Sequence, residues 1–358
     1  MRIKSFDVFR LQIPFRLSFS HIKAARRTSD SVLLRCTLAD GTVGYGESLP
    51  RPYVTGETMD SVADNLANRF LPTLKSFDPS AFEEVSSRCE NLYEEMHSAF
   101  PEAGKYIGAS VCAVELALLD AFGKHFDEPC IPTGSASPDV RFSSVIGSCS
   151  KPVLTAFALA TRLWGFQSVK LKIGTDRDDE NLRLAHRLLG KRVQLRVDVN
   201  GVWSADQALR WLEHNMLNNL VAMEQPVAAD DFDGLKRLTK AAPIDIMADE
   251  SLRDLEDARM LSDQGCCRAF NIRISKCGGL YHSLKIARLA NDRGLSVQIG
   301  CQVGETSILG AAQLRLVHLL GRVRFLEGCY GSLLLKQDLT KTSLRFGRSG
   351  ALPDIPKG

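Results

Sequence analysis

The chain has 358 residues, room for roughly two domains, and its 44% hydrophobic and 24% charged content is that of a soluble globular protein. A formal net charge of +3, with no basic run interleaved with aromatics, argues against nucleic acid and for a small-molecule partner. No cleavable leader pattern opens the chain and no apolar run reaches about 18 residues, so a cytoplasmic protein without membrane attachment is expected. The ten cysteines stand singly except for Cys266-Cys267, and none forms a CxxC pair. Buried thiols are therefore favoured over disulfides or zinc.

Residues 2–48 read as an antiparallel meander, with alternation over 3–13 and 32–38, a turn at Asp40-Gly41, and a third strand over 42–48. A polar loop over 18–30, carrying His21, separates the first two strands. Helical patterns follow at 57–75, 78–97 and 105–125. Strands followed by a block of helices predict an α+β domain over 1–130.

From Asp139 the chain alternates strand and helix. Strands are predicted at 140–146, 168–173, 193–199, 221–225, 244–249, 269–275, 295–301 and 323–327, with helices between them. Repeats of about 25 residues predict a parallel (β/α)8-type barrel over 135–327. A doubly wound open sheet is disfavoured, because no GxGxxG opens any helix. The tail, 328–358, is expected to pack back on the first domain.

The segment Ser168-Val-Lys-Leu-Lys-Ile-Gly174 is the key to the chemistry. Residues two apart on a strand share a face, so Lys170 and Lys172 point together into the barrel. Asp198, Glu224, Asp249 and Arg273 then recur at intervals of 24 to 26 residues, each near the end of a strand. A barrel gathers strand ends at one mouth, where active sites form. Three converging carboxylates repel one another unless a cation joins them, and an oxygen-only set suits Mg²⁺, with Mn²⁺ as the alternative. Lys172 is the candidate general base, with the like charge of Lys170 beside it to lower its pKa. The plainer alternatives are unrelated surface acids and a lysine pair that only neutralises them.

Lys-Leu-Lys at 170–172, Asp198, Glu224 and Asp249 on successive strands, and the turn Lys276-Cys-Gly-Gly279 resemble the enolase superfamily. The likeness is to its mandelate racemase/muconate-lactonising branch, as are Gly44-Tyr-Gly-Glu47 and Tyr53-Val-Thr-Gly-Glu-Thr58. The resemblance implies an α+β capping domain on a modified barrel of (β/α)7β type. It further implies Mg²⁺ holding a substrate carboxylate, removal of the proton α to it, and stabilisation of the resulting enediolate by the metal. A homo-oligomer is also expected from the likeness.

One position departs from the branch. Where its members usually carry Asn-Ile-Lys on the sixth barrel strand, this chain has Asn271-Ile-Arg273. Arginine keeps its proton at accessible pH, so one-base chemistry through Lys172 is expected: cycloisomerisation, isomerisation or syn dehydration. Arg273 then serves as a fixed cation toward the substrate, or alternatively as a structural partner of Asp249 or Glu250. The alternatives are a racemase or epimerase in which Arg273 or Lys276 also works, a Schiff-base enzyme using Lys172, and a non-catalytic binding protein. Lys276, His21 and Tyr53 are further candidates for substrate contact. Dipeptide epimerases of the branch carry Asp-x-Asp on the last strand, and Glu327-Gly-Cys-Tyr-Gly331 stands there instead, so dipeptides are disfavoured.

Overall fold

The computed structural model describes residues 1–21, 24–128 and 138–354, without the side chains of 17–21, 24 and 25. The predicted boundary between 130 and 135, and the end of the tail, lie outside the described residues.

Strands β1 (Ile3–His21), β2 (Ala24–Leu38) and β3 (Val43–Ser48) form an antiparallel sheet in the order β1-β2-β3. The stretch predicted as a polar loop is mostly strand: pairing continues to Pro14↔Thr28, breaks register, and resumes at Phe19↔Arg26. The residues over 18–30 are mostly polar, so the sequence shows no apolar alternation there to mark a strand. The Gly44-Tyr-Gly-Glu47 motif has a packing cause. A Cβ at Gly44 or Gly46 would strike the backbone of the helix Gly108–Phe126 at Ala121 or Ala113, so only glycines let β3 lie so close.

The second sheet has eight parallel strands in chain order: β4 (Ser144–Ile146), β5 (Ser168–Lys172), β6 (Gln194–Asp198), β7 (Leu220–Glu224), β8 (Asp245–Ala248), β9 (Ala269–Ile272), β10 (Ser296–Ile299) and β11 (Phe325–Leu326). Its ends meet. Phe142 bridges to Leu326 in parallel, and the Ser143 N–H donates to the Leu326 carbonyl at 2.7 Å. The predicted barrel with its α+β cap is what is observed, with shorter strands. β9 ends at Ile272, so Arg273 and Ser275 lie in the turn beyond it, and Asp249 lies one residue past β8.

The inward faces are polar, as the alternation required. Apolar residues Ala222, Met247, Ala269 and Phe325 form a small cluster, and the Arg196 guanidinium lies 4.2 Å from the Phe325 ring centroid. Around Arg196 lie the buried side chains of Lys170, Glu224, Asn271, Gln298 and Glu327. The outward faces, such as Val169, Leu171, Leu195 and Val197, join the main core with the helices.

Buried carboxylates fasten the cap to the barrel. Glu47 of β3 accepts from the N–H and hydroxyl of Thr306, at the start of the helix Ser307–Leu320. Glu115 accepts from the N–H groups of Leu280 and Tyr281, which open the helix Leu280–Asp292. Within the cap, Glu57 accepts from Ala109 at 2.6 Å and Ser110 at 3.0 Å. Helix N-termini offer unsatisfied donors and positive charge, so each carboxylate satisfies groups that burial would strand.

Burial nonetheless pushes Glu47 and Glu57 up to about 7 and Glu115 up to about 8, against these hydrogen bonds. The folded chain therefore holds these protons to higher pH than the unfolded chain. Their contribution to stability is complete below the ordinary value of 4.5 and is lost as pH rises through 7 to 8. The expected result is a melting temperature that falls by roughly 5–10 °C between about pH 5 and about pH 8.5. Glu57→Gln should flatten that slope; a melting temperature that climbs across the range would contradict the assignment.

Candidate active site at the barrel mouth

Register places the chemistry. Lys172 pairs with Asp198, and Asp198 with Glu224, so three charged residues stand side by side at the C-terminal rim of β5, β6 and β7. Asp249 follows at the end of β8, held by Gln225, whose Oε1 accepts from the N–H groups of Asp249 and Ser251.

Each carboxylate has its own partners. Glu224 accepts from Lys170 Nζ at 3.1 Å, Asn271 Nδ2 at 2.8 Å and Gln298 Nε2 at 3.1 Å. Asp249 Oδ1 accepts from Lys276 Nζ at 2.8 Å, and its Oδ2 is paired with Arg273 Nη2. Asp198 Oδ1 accepts from the Asn200 N–H at 3.1 Å, while its buried Oδ2 has no hydrogen-bond partner. Burial would raise Asp249, but Arg273 and Lys276 outweigh it and hold the carboxyl well below the usual range. Burial, joined by Asp198, Glu327 and Asp249, pushes Glu224 up against the pull of Lys170.

Lys172 faces a narrow pocket. Its Nζ donates to Asn200 Oδ1 at 3.0 Å and lies 3.4 Å from Asp198 Oδ2. The pocket, about 50 Å³, is lined from the barrel by Lys172, Asn200, Glu250, Arg273, Gln302 and Val303, and from the cap by Arg26, Arg51, Tyr53 and Val54. A larger groove of about 600 Å³, beside the helices Asp178–Leu189 and Ala205–Asn215, holds none of these residues. The smaller pocket is the one that reaches Lys172 and Arg273, which pair with Asp198 and Asp249 behind them.

Two predicted residues sit elsewhere. Lys170 was expected to repel Lys172, but it lies between Glu224 and Glu327, the latter at 2.7 Å. Burial alone would lower Lys170; those carboxylates and Asp198 outweigh it and hold it charged. With its charge so offset, Lys170 does not supply the repulsion expected at Lys172; sequence spacing showed the shared face and not the acids opposite. Lys276 does not reach the pocket. Its Nζ donates to Asp249 Oδ1, the Asp249 carbonyl and the Asn271 carbonyl, which uses all three protons. A Cβ at Gly108 would strike the Lys276 carbonyl, so this turn seats the cap helix on the barrel.

Tyr53 lines the pocket, 6.0 Å from the Arg26 guanidinium. The side chain of His21 lies outside the described residues. Sequence reading missed Arg51, which is only 3% exposed and has no carboxylate within ion-pair distance among the described residues. Its guanidinium donates to the carbonyls of Asp30 at 2.6 Å and Pro50 at 2.8 Å. Burial and neighbouring Arg26 pull Arg51 down to about 10, which leaves it charged at neutral pH. Periodicity cannot flag an arginine in a loop; its place before the Tyr53-Val-Thr-Gly-Glu-Thr58 motif was the only signal.

The donor set suits an oxygen-preferring divalent ion, since Asp198, Glu224 and Asp249 offer carboxylates alone and Asp198 Oδ2 is buried with no donor of its own. As the side chains stand, no three acidic, histidine or cysteine groups among the described residues converge on one ion position. Also among the described residues, no helix is long and apolar enough to cross a membrane.

The fold and this mouth define an enzyme of the enolase superfamily. The model for the Enolase C-terminal domain-like family matches residues 154–356. An L-Lys-D/L-Arg epimerase of Methylococcus capsulatus is 31% identical over 93% of this chain and 90% of its own. A hydrophobic dipeptide epimerase of Enterococcus faecalis is 28% identical over 86% of this chain and 84% of its own. The crystal structure of a 2-chloromuconate cycloisomerase from Rhodococcus opacus superposes with a TM-score of 0.86 at 26% identity, covering 100% of this chain and 95% of its own. The chain belongs to the Enolase C-terminal domain-like family, in the mandelate racemase/muconate-lactonising branch of the superfamily, and is an enolase-superfamily isomerase.

Proposed function

We propose that this chain removes the proton α to a carboxylate through Lys172 and that all proton transfer takes place on that one face of the substrate, the proton passing to the departing group in a syn dehydration. The observation that carries the reading is that Lys172 is the one lysine among the described residues that lines the pocket. Its neutral amine takes the α-proton and becomes an ammonium, which Asn200 Oδ1 and Asp198 receive. Arg273, opposite, cannot act as a base: burial would lower it, but Asp249, Glu224 and Glu250 outweigh that and keep it charged. Asp198, Glu224 and Asp249 would hold Mg²⁺, with Mn²⁺ as the alternative. The ion when bound supplies positive charge against the substrate carboxylate, which favours loss of the α-proton.

The cap sets what enters. Arg51 and Arg26 bring positive charge to the pocket wall facing Lys172 and Arg273, so a substrate with a second anionic group is favoured. With one proton carrier the outcome is cycloisomerisation, another isomerisation or syn dehydration. The epimerase names of the relatives favour a second reading, racemisation or epimerisation of amino-acid derivatives or dipeptides, which needs a carrier on each face.

Incubation with Mg²⁺ in D₂O and a panel of N-acylamino acids, dipeptides, hydroxy acids and muconates, followed by NMR, separates the two. Exchange or elimination with configuration retained, and preference for dianions, is the expected result. Inversion at the α-carbon would establish the epimerase reading instead.

A further inference from the structure

One nitrogen of Arg273 does what a small cation would do. Nη2 is paired with Asp249 Oδ2 and lies 3.6 Å from Glu224 Oε1, so a single charged atom bridges two of the three carboxylates assigned to the ion. The other oxygens of this set are committed: Asp249 Oδ1 to Lys276, Asp198 Oδ1 to the Asn200 N–H, and Glu224 Oε2 to Lys170 and Gln298. Asp198 Oδ2, the third candidate, is left buried without a hydrogen bond. Glu224 Oε1 also accepts from Lys170 and Asn271, so the oxygens with fewest other partners are Asp198 Oδ2, flanked by Lys172 at 3.4 Å, and Asp249 Oδ2, held by Arg273.

We infer that Arg273 is a tethered cation that exchanges with the divalent ion, so that ion binding swings its guanidinium off Asp249 and Glu224 into the pocket. This rests on the metal reading of the three carboxylates given above. Lys170 and Lys276 already share Glu224 and Asp249 with Arg273, so a divalent ion added among them brings repulsion that water cannot screen, and Arg273 is the cation of the three that borders the pocket. The released side chain has one direction open. Its neighbours Lys170 and Lys276 are fixed inside the barrel, whereas Arg273 already borders the pocket with Arg51 and Arg26. Ion binding therefore also delivers a planar, bidentate donor to the substrate's second anionic group.

An equilibrium in which the guanidinium holds the site weakens apparent ion affinity by the fraction of time the site is free. Mn²⁺ titration of the full chain, followed by electron paramagnetic resonance, tests this without turnover. Arg273→Met should bind Mn²⁺ at least about tenfold tighter than wild type. Equal or weaker binding would overturn the exchange while leaving the metal reading standing; absence of Mn²⁺ binding in both proteins would overturn both. A second measurement needs no variant that empties the site. In the wild-type chain, the ¹⁵N signal of the Arg273 side chain, assigned with Arg273→Lys, should move in a saturable way with added Mg²⁺. An Arg273 signal unmoved while Mg²⁺ binds overturns the proposal even if Arg273→Met does not fold.

Discussion

Lys172→Ala should abolish deuterium exchange at the substrate α-carbon, lowering it by about a thousandfold or more, with Mn²⁺ affinity retained. A positioned acid/base group is typically worth about 10²–10⁴ in rate, and no other lysine among the described residues reaches the pocket to replace it. The same change removes the ammonium that lies 3.4 Å from Asp198 Oδ2, so ion affinity should hold or improve. Asn200 and Asp198 remain to fix the surroundings, which makes simple collapse of the site a poor explanation for the loss. Exchange at the wild-type rate would end the assignment of Lys172 as the proton carrier. Loss of Mn²⁺ binding together with exchange would mean that Lys172 holds the carboxylates in place and does not carry the proton.

Arg273→Lys should give the enzyme a second proton carrier, and with it inversion at the α-carbon. β5 carries Lys172 and β9 leads into Arg273; β6, β7 and β8 separate them on one side, and β10, β11 and β4 on the other. In a closed ring of eight strands these positions are diametrically opposed, so a substrate between them shows one face to each. Lysine can lose its proton in such a setting and arginine cannot. Configuration should be retained by wild type and scrambled by Arg273→Lys, at a rate within about a hundredfold of the exchange due to Lys172. Inversion by wild type would contradict the one-base reading. Exchange by the variant with strict retention would show that residue 273 does not reach the second face.

Much of this site was legible before any fold was known. Strand period and helix period are local properties of a chain, so the alternation over 168–173 placed Lys170 and Lys172 on one inward face, and the even spacing of Asp198, Glu224 and Asp249 marked strand ends that a barrel must gather. The same logic isolated Arg273 as the odd residue of its position. Local pattern also failed in a consistent way. It read a pair of strands as a loop, since their mostly polar residues lack the apolar alternation that marks a strand. It extended β9 through Ser275, although the ladder stops at Ile272.

The pairing of charges was settled only by tertiary structure. Which cation meets which carboxylate depends on distances across the closed sheet and between cap and barrel. Lys170 and Glu327 are far apart in sequence yet meet at 2.7 Å because β11 curls round to β4, and no spacing rule reports that contact. Arg51 came to the pocket because Glu47 and Glu115 dock the cap onto helix N-termini of the barrel, which brings a loop that sequence leaves unplaced against Gln302 and Arg273. The sequence by itself determined the barrel, its inward charged faces and which residues are proposed to react, because these follow from periodicity and side-chain chemistry. The structure decided which of those groups are free to react and which are spent on one another, because electrostatic interaction depends on distance through space and on burial.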